Sequence, residues 1–227
     1  MSAALPSLLN NARWEVTRLR RSRRVWLLLI PLVAGPVGSA VADLYLRVPS
    51  AGTADVLGLL ITAGLAALII LDLTALAVGE DLALRTQFLT FSLPQPRASA
   101  LGGRLAVVMG GSLAAYAVGA VAVAGLAAQL VFPSSSAAPP IFVPAHLAIG
   151  IVGLLVFLGG VTAAAGVITR SPSQALVAGV LAGVVSAGLG SLFLIEGRLT
   201  PLFPLVLAAI GVAGFAWCLA AYDRVEA

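Results

Sequence analysis

Long apolar runs alternate with short polar breaks along almost the whole chain. A helix crossing a bilayer core needs roughly 20 apolar residues. Six stretches meet that length: Val25 to Leu46, Val56 to Val78, Leu105 to Phe132, Ala145 to Thr169, Ala175 to Ile195 and Leu202 to Tyr222. The breaks carry turn chemistry: Pro49-Ser50-Ala51-Gly52, the stretch from Pro133 to Pro144, Ser171-Pro172-Ser173 and Glu196-Gly197-Arg198. No gap has room for a soluble domain. The pattern predicts an all-α polytopic membrane protein: one six-span domain over residues 25–227, preceded by a separate helix in residues 1–24.

Two polar segments have a helical pattern of their own. In the first, Leu5, Leu8, Leu9, Ala12, Val16 and Leu19 share one face, and Pro6 suits a first turn. Arg13, Arg18, Arg20, Arg21 and Arg24 take the rest of the circumference. This predicts an amphipathic helix at the lipid headgroups that leads into the first span. A cleaved signal peptide, with Ala40-Val41-Ala42 as its site, fits less well, because the pre-span region is amphipathic and Pro31 and Pro36 interrupt the apolar run. The second segment, residues 79–104, is the longest polar break. At about 100° per residue, Leu82, Leu89 and Leu93 fall on one side, and Leu84, Phe88 and Phe91 on the other. Two apolar faces suit a short helix held by its own membrane domain and gripped by a partner.

Composition agrees with the pattern: 60% hydrophobic and 10% charged residues, with a mean hydropathy of +1.09, exceed what a soluble domain tolerates. All 13 basic residues are Arg. With both termini on the cytoplasmic side, Arg13, Arg18, Arg20, Arg21, Arg23, Arg24, Arg85, Arg97, Arg104, Arg170 and Arg224 lie inside, and only Arg47 and Arg198 outside. That asymmetry follows the positive-inside rule and places residues 79–104 in the cytoplasm. The absence of Lys, together with abundant Ala, Gly and Val, points to a GC-rich genome; the expected location is the plasma membrane of a prokaryote. The high pI of 10.2 does not imply nucleic-acid binding, since the basic residues flank hydrophobic spans as topology determinants.

The sequence supplies no catalytic constellation. His146 is the sole histidine and Cys218 the sole cysteine, which argues against a metal centre, a disulfide framework and a Gly111-Ser112 nucleophile with a histidine base. A phosphate-binding loop of the P-loop type needs a Lys that this chain lacks. Energy for work would come from another subunit or an ion gradient. Two acids fall within spans. Asp43, four residues before Arg47, reads as an interfacial ion pair. Asp72, six residues from the inner end of span two, is a candidate either for pairing with Arg104 or for an ion pathway. Gly179-x-x-x-Gly183 matches a close-packing motif.

An amphipathic basic N-terminal helix, six spans, and a polar segment after span two that ends in Leu-Pro-x-x-Arg resemble the permease subunits of type-2 ABC transporters. In that family the segment reads approximately Glu-x-x-x-Gly-Thr, an apolar stretch, Leu-Pro-x-x-Arg, and Gly-Lys entering span three. Here Glu80, Thr86, residues Phe88 to Phe91, Leu93-Pro94, Arg97 and Gly103-Arg104 take those places. Arg85 stands where the family has Gly, and the acid is one residue early.

The resemblance implies a coupling helix, with Glu80, Asp81, Leu84, Arg85, Thr86, Phe88, Leu89, Phe91, Pro94 and Arg97 contacting a separate ATP-binding cassette subunit. It implies ATP and Mg on that partner and no cofactor in this chain. It also implies a second permease copy or a sister permease, contact with membrane lipid, and a re-entrant hairpin between Gly188 and Pro204. The expected function is export of a hydrophobic or amphipathic substrate without enzymatic activity in this chain. The haem-exporter type of permease has the same span count. A different class, a proton- or ion-coupled secondary transporter or small channel, would use the intramembrane acids instead.

Overall fold

The computed structural model describes residues 4–21, 24–46, 51–83, 97–131, 145–195, 202–222 and 224. Among these, seven α-helices and one 3-10 turn account for nearly all positions: α1 (Ala4–Arg21), the 3-10 turn (Arg24–Leu29), α2 (Ile30–Leu46), α3 (Ala51–Ala83), α4 (Arg97–Val131), α5 (Ala145–Thr169), α6 (Pro172–Ile195) and α7 (Leu202–Tyr222). Helices are the expected solution for such runs, because each satisfies its backbone hydrogen bonds internally and needs no water. Five of them, α3 to α7, are long and apolar enough to cross a membrane. The protein is membrane-embedded on that ground.

The first apolar stretch departs from a simple span. Pro31 lies in the first turn of α2 and cannot donate a backbone hydrogen bond, and its ring excludes a carbonyl one turn earlier. The chain before it tightens into the 3-10 turn Arg24–Leu29, and Pro36 removes a second bond inside α2. The apolar window described here, Trp26–Gly38, is shorter than the other five. The expected sixth span is thus represented by a turn and a proline-containing helix.

α3 is the spine. It packs against α2, α4, α5 and α6, while α5 packs against α3, α6 and α7. A central cluster joins Leu59, Ala66 and Ile70 of α3, Tyr116 of α4, and Ile151 and Leu155 of α5. A second cluster closes one end, with Val78 and Leu82 against Leu101, Leu105, Ala163, Val167, Cys218 and Tyr222. That end, which also contains Arg104, is called the Arg104 end below. Buried hydroxyls in this apolar interior turn back on their own helices: Thr62 Oγ1 donates to the Gly58 carbonyl and Thr162 Oγ1 to the Leu158 carbonyl, each at 2.8 Å.

α5 and α6 are joined by a two-residue turn. Arg170 adopts the left-handed conformation (φ 52°) and its N–H donates to the Gly166 carbonyl at 3.0 Å, closing α5 in the manner usually reserved for glycine. Pro172 then opens α6 at the position where its missing N–H costs nothing. Gly179 bears out the motif reading in part, since a Cβ there would collide with Thr162 and Leu71, whereas Gly183 leaves an ordinary contact of 3.4 Å to Leu158.

The tightest helix pair is α5 with α7. Gly160 lies against the backbone of Gly211, and Gly211 against Val156 and Phe157, so the two backbones touch directly. Gly211→Ala is therefore expected to destabilise the protein by about 1–3 kcal/mol through overpacking. Gly64→Ala, at a site with nothing within 4 Å of the added carbon, should be neutral or slightly stabilising through helix propensity. Thermal unfolding of the two variants in detergent checks the contrast.

Candidate functional site

The Arg104 end carries the ion pairs of Glu15 with Arg18 and Arg104. α1 reaches it as an amphipathic helix. Leu9 and Val16 are half exposed, whereas Glu15 is 1% exposed and Leu19 is buried. The helix turns its lone acid inward and leaves part of its apolar stripe uncovered. Glu15 Oε2 lies 3.7 Å from Arg104 Nε on α4, and Glu15 Oε1 lies 3.5 Å from Arg18 Nε one turn further along α1. Arg104 also sits over the Trp14 ring, 5.9 Å from its centroid, at cation–π range. A buried carboxylate between two guanidiniums, one of them backed by an aromatic face, is the arrangement in which burial of charge is tolerable.

The contacts also give the direction of α1. Glu15 meets Arg104, and Leu19 shares a cluster with Val108, Ile69 and Leu73, with Leu27 and Leu28 packed beside it. Each step of four residues on α1 matches four on α4, so the two helices run side by side in the same sense. The expectation of a helix resting on headgroups alone thus gains a docking partner, the first turns of α4.

Of the two roles expected for Asp72, a pair with Arg104 or a place in an ion pathway, the first is not formed among the described residues. Arg104 pairs with Glu15, and Asp72, half-buried, forms no hydrogen bond or ion pair with another described residue. The reason is rotational. Leu71 next to it reaches Gly179 of α6, and Leu73 on the other side joins the cluster with Val108 of α4. Asp72 is left facing between these contacts.

The remaining candidates divide by position. Glu80 and Asp81 lie in the last turn of α3, and Arg97 is the first residue of α4. Asp43 lies in α2 and His146 in α5. The side chains of these five fall outside the described residues. Leu84, Arg85, Thr86, Phe88, Leu89, Phe91 and Pro94 also lie outside them, as does part of the expected hairpin between Gly188 and Pro204.

What the structure fixes is the frame around residues 84–96: α3 leads in through Gly79, and α4 leads out from Arg97. A Cβ at Gly79 would lie 2.6 Å from Pro172 N, so α3 rests directly on the α5–α6 turn at this point. Among the described residues no three His, Cys, Asp or Glu side chains come together as metal ligands. An open groove of about 290 Å³ runs along α6, lined by Ser173, Gln174, Val177, Ala178 and Leu181; it offers no charged group.

Glu15 is the residue that sequence reasoning missed. The signal was present: it is the only acid before Asp43, and it falls at the margin of the apolar face between Leu8 and Leu19. Comparison with known proteins gave no match to any family model, curated protein or solved structure.

Removing one partner of the buried pair should be costly. Glu15→Gln or Arg104→Gln alone is expected to lower stability by about 3 kcal/mol, because each leaves the other charge buried. The double variant should lose clearly less than the sum. Denaturant unfolding of the three variants in detergent measures this coupling, and strictly additive losses would contradict it.

Proposed function

We propose that this chain is the membrane permease subunit of an ATP-driven exporter of the type-2 ABC class, moving a hydrophobic or amphipathic substrate with energy from a separate ATP-binding subunit. The observation that carries the reading is the frame at the Arg104 end. α3 and α4 bracket the segment that bears Leu93-Pro94 and Arg97. α1 is ion-paired to α4 beside it, and Gly79 abuts the α5–α6 turn. A displacement of residues 84–96 would thus be passed by short, rigid contacts to α1, α4, α5 and α6.

In this reading the six spans are the 3-10 turn with α2, then α3 to α7. The turn and α2 together extend about 37 Å at the usual rises per residue, enough for a bilayer core. Residues 84–96 face the cytoplasm as the coupling element, and ATP and Mg bind the partner. Two permease copies, or this chain with a sister permease, form the membrane part. The complex sits in a prokaryotic plasma membrane with both termini cytoplasmic. Asp72 favours a second reading, a proton- or ion-coupled transporter, because an intramembrane acid without an ion partner among the described residues is a common element of such pathways.

Replacing Phe88 and Leu89 by Glu should leave membrane insertion intact and release the ATP-binding subunit, since a partner-buried apolar contact would become an unpaired buried charge. Co-purification of the two subunits from detergent is the readout, and undiminished recovery of the partner would contradict the proposal. In vesicles, transport should require ATP; transport driven by an imposed pH gradient alone, and lost in Asp72→Asn, would favour the second reading.

A further inference from the structure

Asp72 lies about 10 Å along α3 from Gly79, where the apolar window of that helix ends. It is thus at membrane depth. It is also at the outside of the bundle: Leu68, one turn away on the same side, is 59% exposed, and Asp72 itself is partly exposed. On one flank, Leu71 lies against Gly179 of α6 and Gly79 against Pro172, with Ala75 buried between them. On the other flank, Ile69 and Leu73 pack with Leu19 and Val108, beside Leu27 and Leu28 of the 3-10 turn. The carboxylate therefore faces outward from α3 between α6 and the 3-10 turn, with apolar side chains above and beside it.

A carboxylate at this depth is costly unless a cation or water compensates it. The intramembrane cation described nearby, Arg104, is engaged with Glu15 and Trp14, and no described residue forms an ion pair with Asp72. What compensates it is then a proton, water or a cation from outside the described residues. The surroundings specify its carrier: one anionic anchor, apolar walls, and access from the side rather than from water.

We propose that Asp72 is the recognition point for the positively charged group of an amphipathic cation that enters from the membrane between α6 and the 3-10 turn. This deepens the exporter reading by naming its substrate class, and rests on that reading only for the step of transport. Binding itself needs neither ATP nor a partner subunit. The apolar body of the ligand would lie along Leu68 and the exposed side chains of α6, and Asp72 would select the sign of its charge.

The test uses the purified full chain in lipid nanodiscs, without an ATP-binding subunit. Binding of tetraphenylphosphonium is compared with that of tetraphenylborate, which has nearly the same shape and the opposite charge. The wild type should bind the cation in preference to the anion. Asp72→Asn should weaken cation binding about tenfold or more, and Asp72→Glu should largely restore it. Unfolding of each variant is followed in parallel, so that loss of fold is not read as loss of the site. Equal binding of the cation by wild type and Asp72→Asn, or equal binding of cation and anion by the wild type, would overturn the proposal. So would an Asp72→Asn change confined to the oligomeric state, which would assign the carboxylate to contact with a second copy. Because ATP is absent, a negative result here leaves the coupling proposal standing, and undiminished recovery of the ATP-binding subunit with the Phe88 and Leu89 variant leaves this one standing.

Discussion

A carboxylate and a guanidinium withdrawn from water between α1 and α4 set the geometry of the Arg104 end. Glu15 cannot leave Arg104 without stranding a buried charge, so α1 is held in one register along α4. Arg18 and Trp14 add a second cation and an aromatic face to the same contact. The pair gives specificity as much as stability: an apolar contact would allow α1 to rotate or slide, whereas an ion pair in an apolar setting does not. α1 packs on α4 and on the 3-10 turn, so the pair fixes how the N-terminal helix meets the bundle.

The rest of the bundle is organised by close approach rather than by charge. In a membrane there is little hydrophobic force between helices, and packing at small residues takes its place. Gly160 and Gly211 bring α5 and α7 into backbone contact, and Gly79 brings α3 onto the α5–α6 turn. α3 and α5 are consequently enclosed, while α6 and α7 keep long exposed apolar faces, such as Val184 and Val185 on α6 and Leu205 and Val212 on α7.

Much of the fold was legible in the sequence because span length and hydropathy are direct consequences of bilayer thickness. α5 and α7 begin and end where the apolar runs do, at Ala145 and Thr169 and at Leu202 and Tyr222. The α5–α6 turn falls at Ser171-Pro172, as the turn chemistry indicated. The first stretch was harder, because span length alone does not show that the chain before Pro31 tightens into a 3-10 turn while α2 continues through Pro36. The docking of α1 on α4 was not legible in its pattern. A hydrophobic stripe says which side avoids water, but not whether lipid or protein covers it, and Glu15 could be buried only because Arg104 was there to meet it. The partner of Arg104 was equally out of reach, since helix rotation about α3 decides where Asp72 faces and no periodicity within α3 encodes that rotation.

Placing the Arg104 end on the cytoplasmic side, as the working end of the bundle, is tested most directly with single cysteines in a Cys218→Ala background, labelled in intact cells by a membrane-impermeant thiol reagent. Ser173→Cys, at an exposed position beside the α5–α6 turn, should react only after the membrane is permeabilised, while Ser135→Cys, in the uncharged stretch between Pro133 and Pro144, should react in intact cells. Labelling of Ser173→Cys in intact cells, with Ser135→Cys protected until lysis, would contradict that placement.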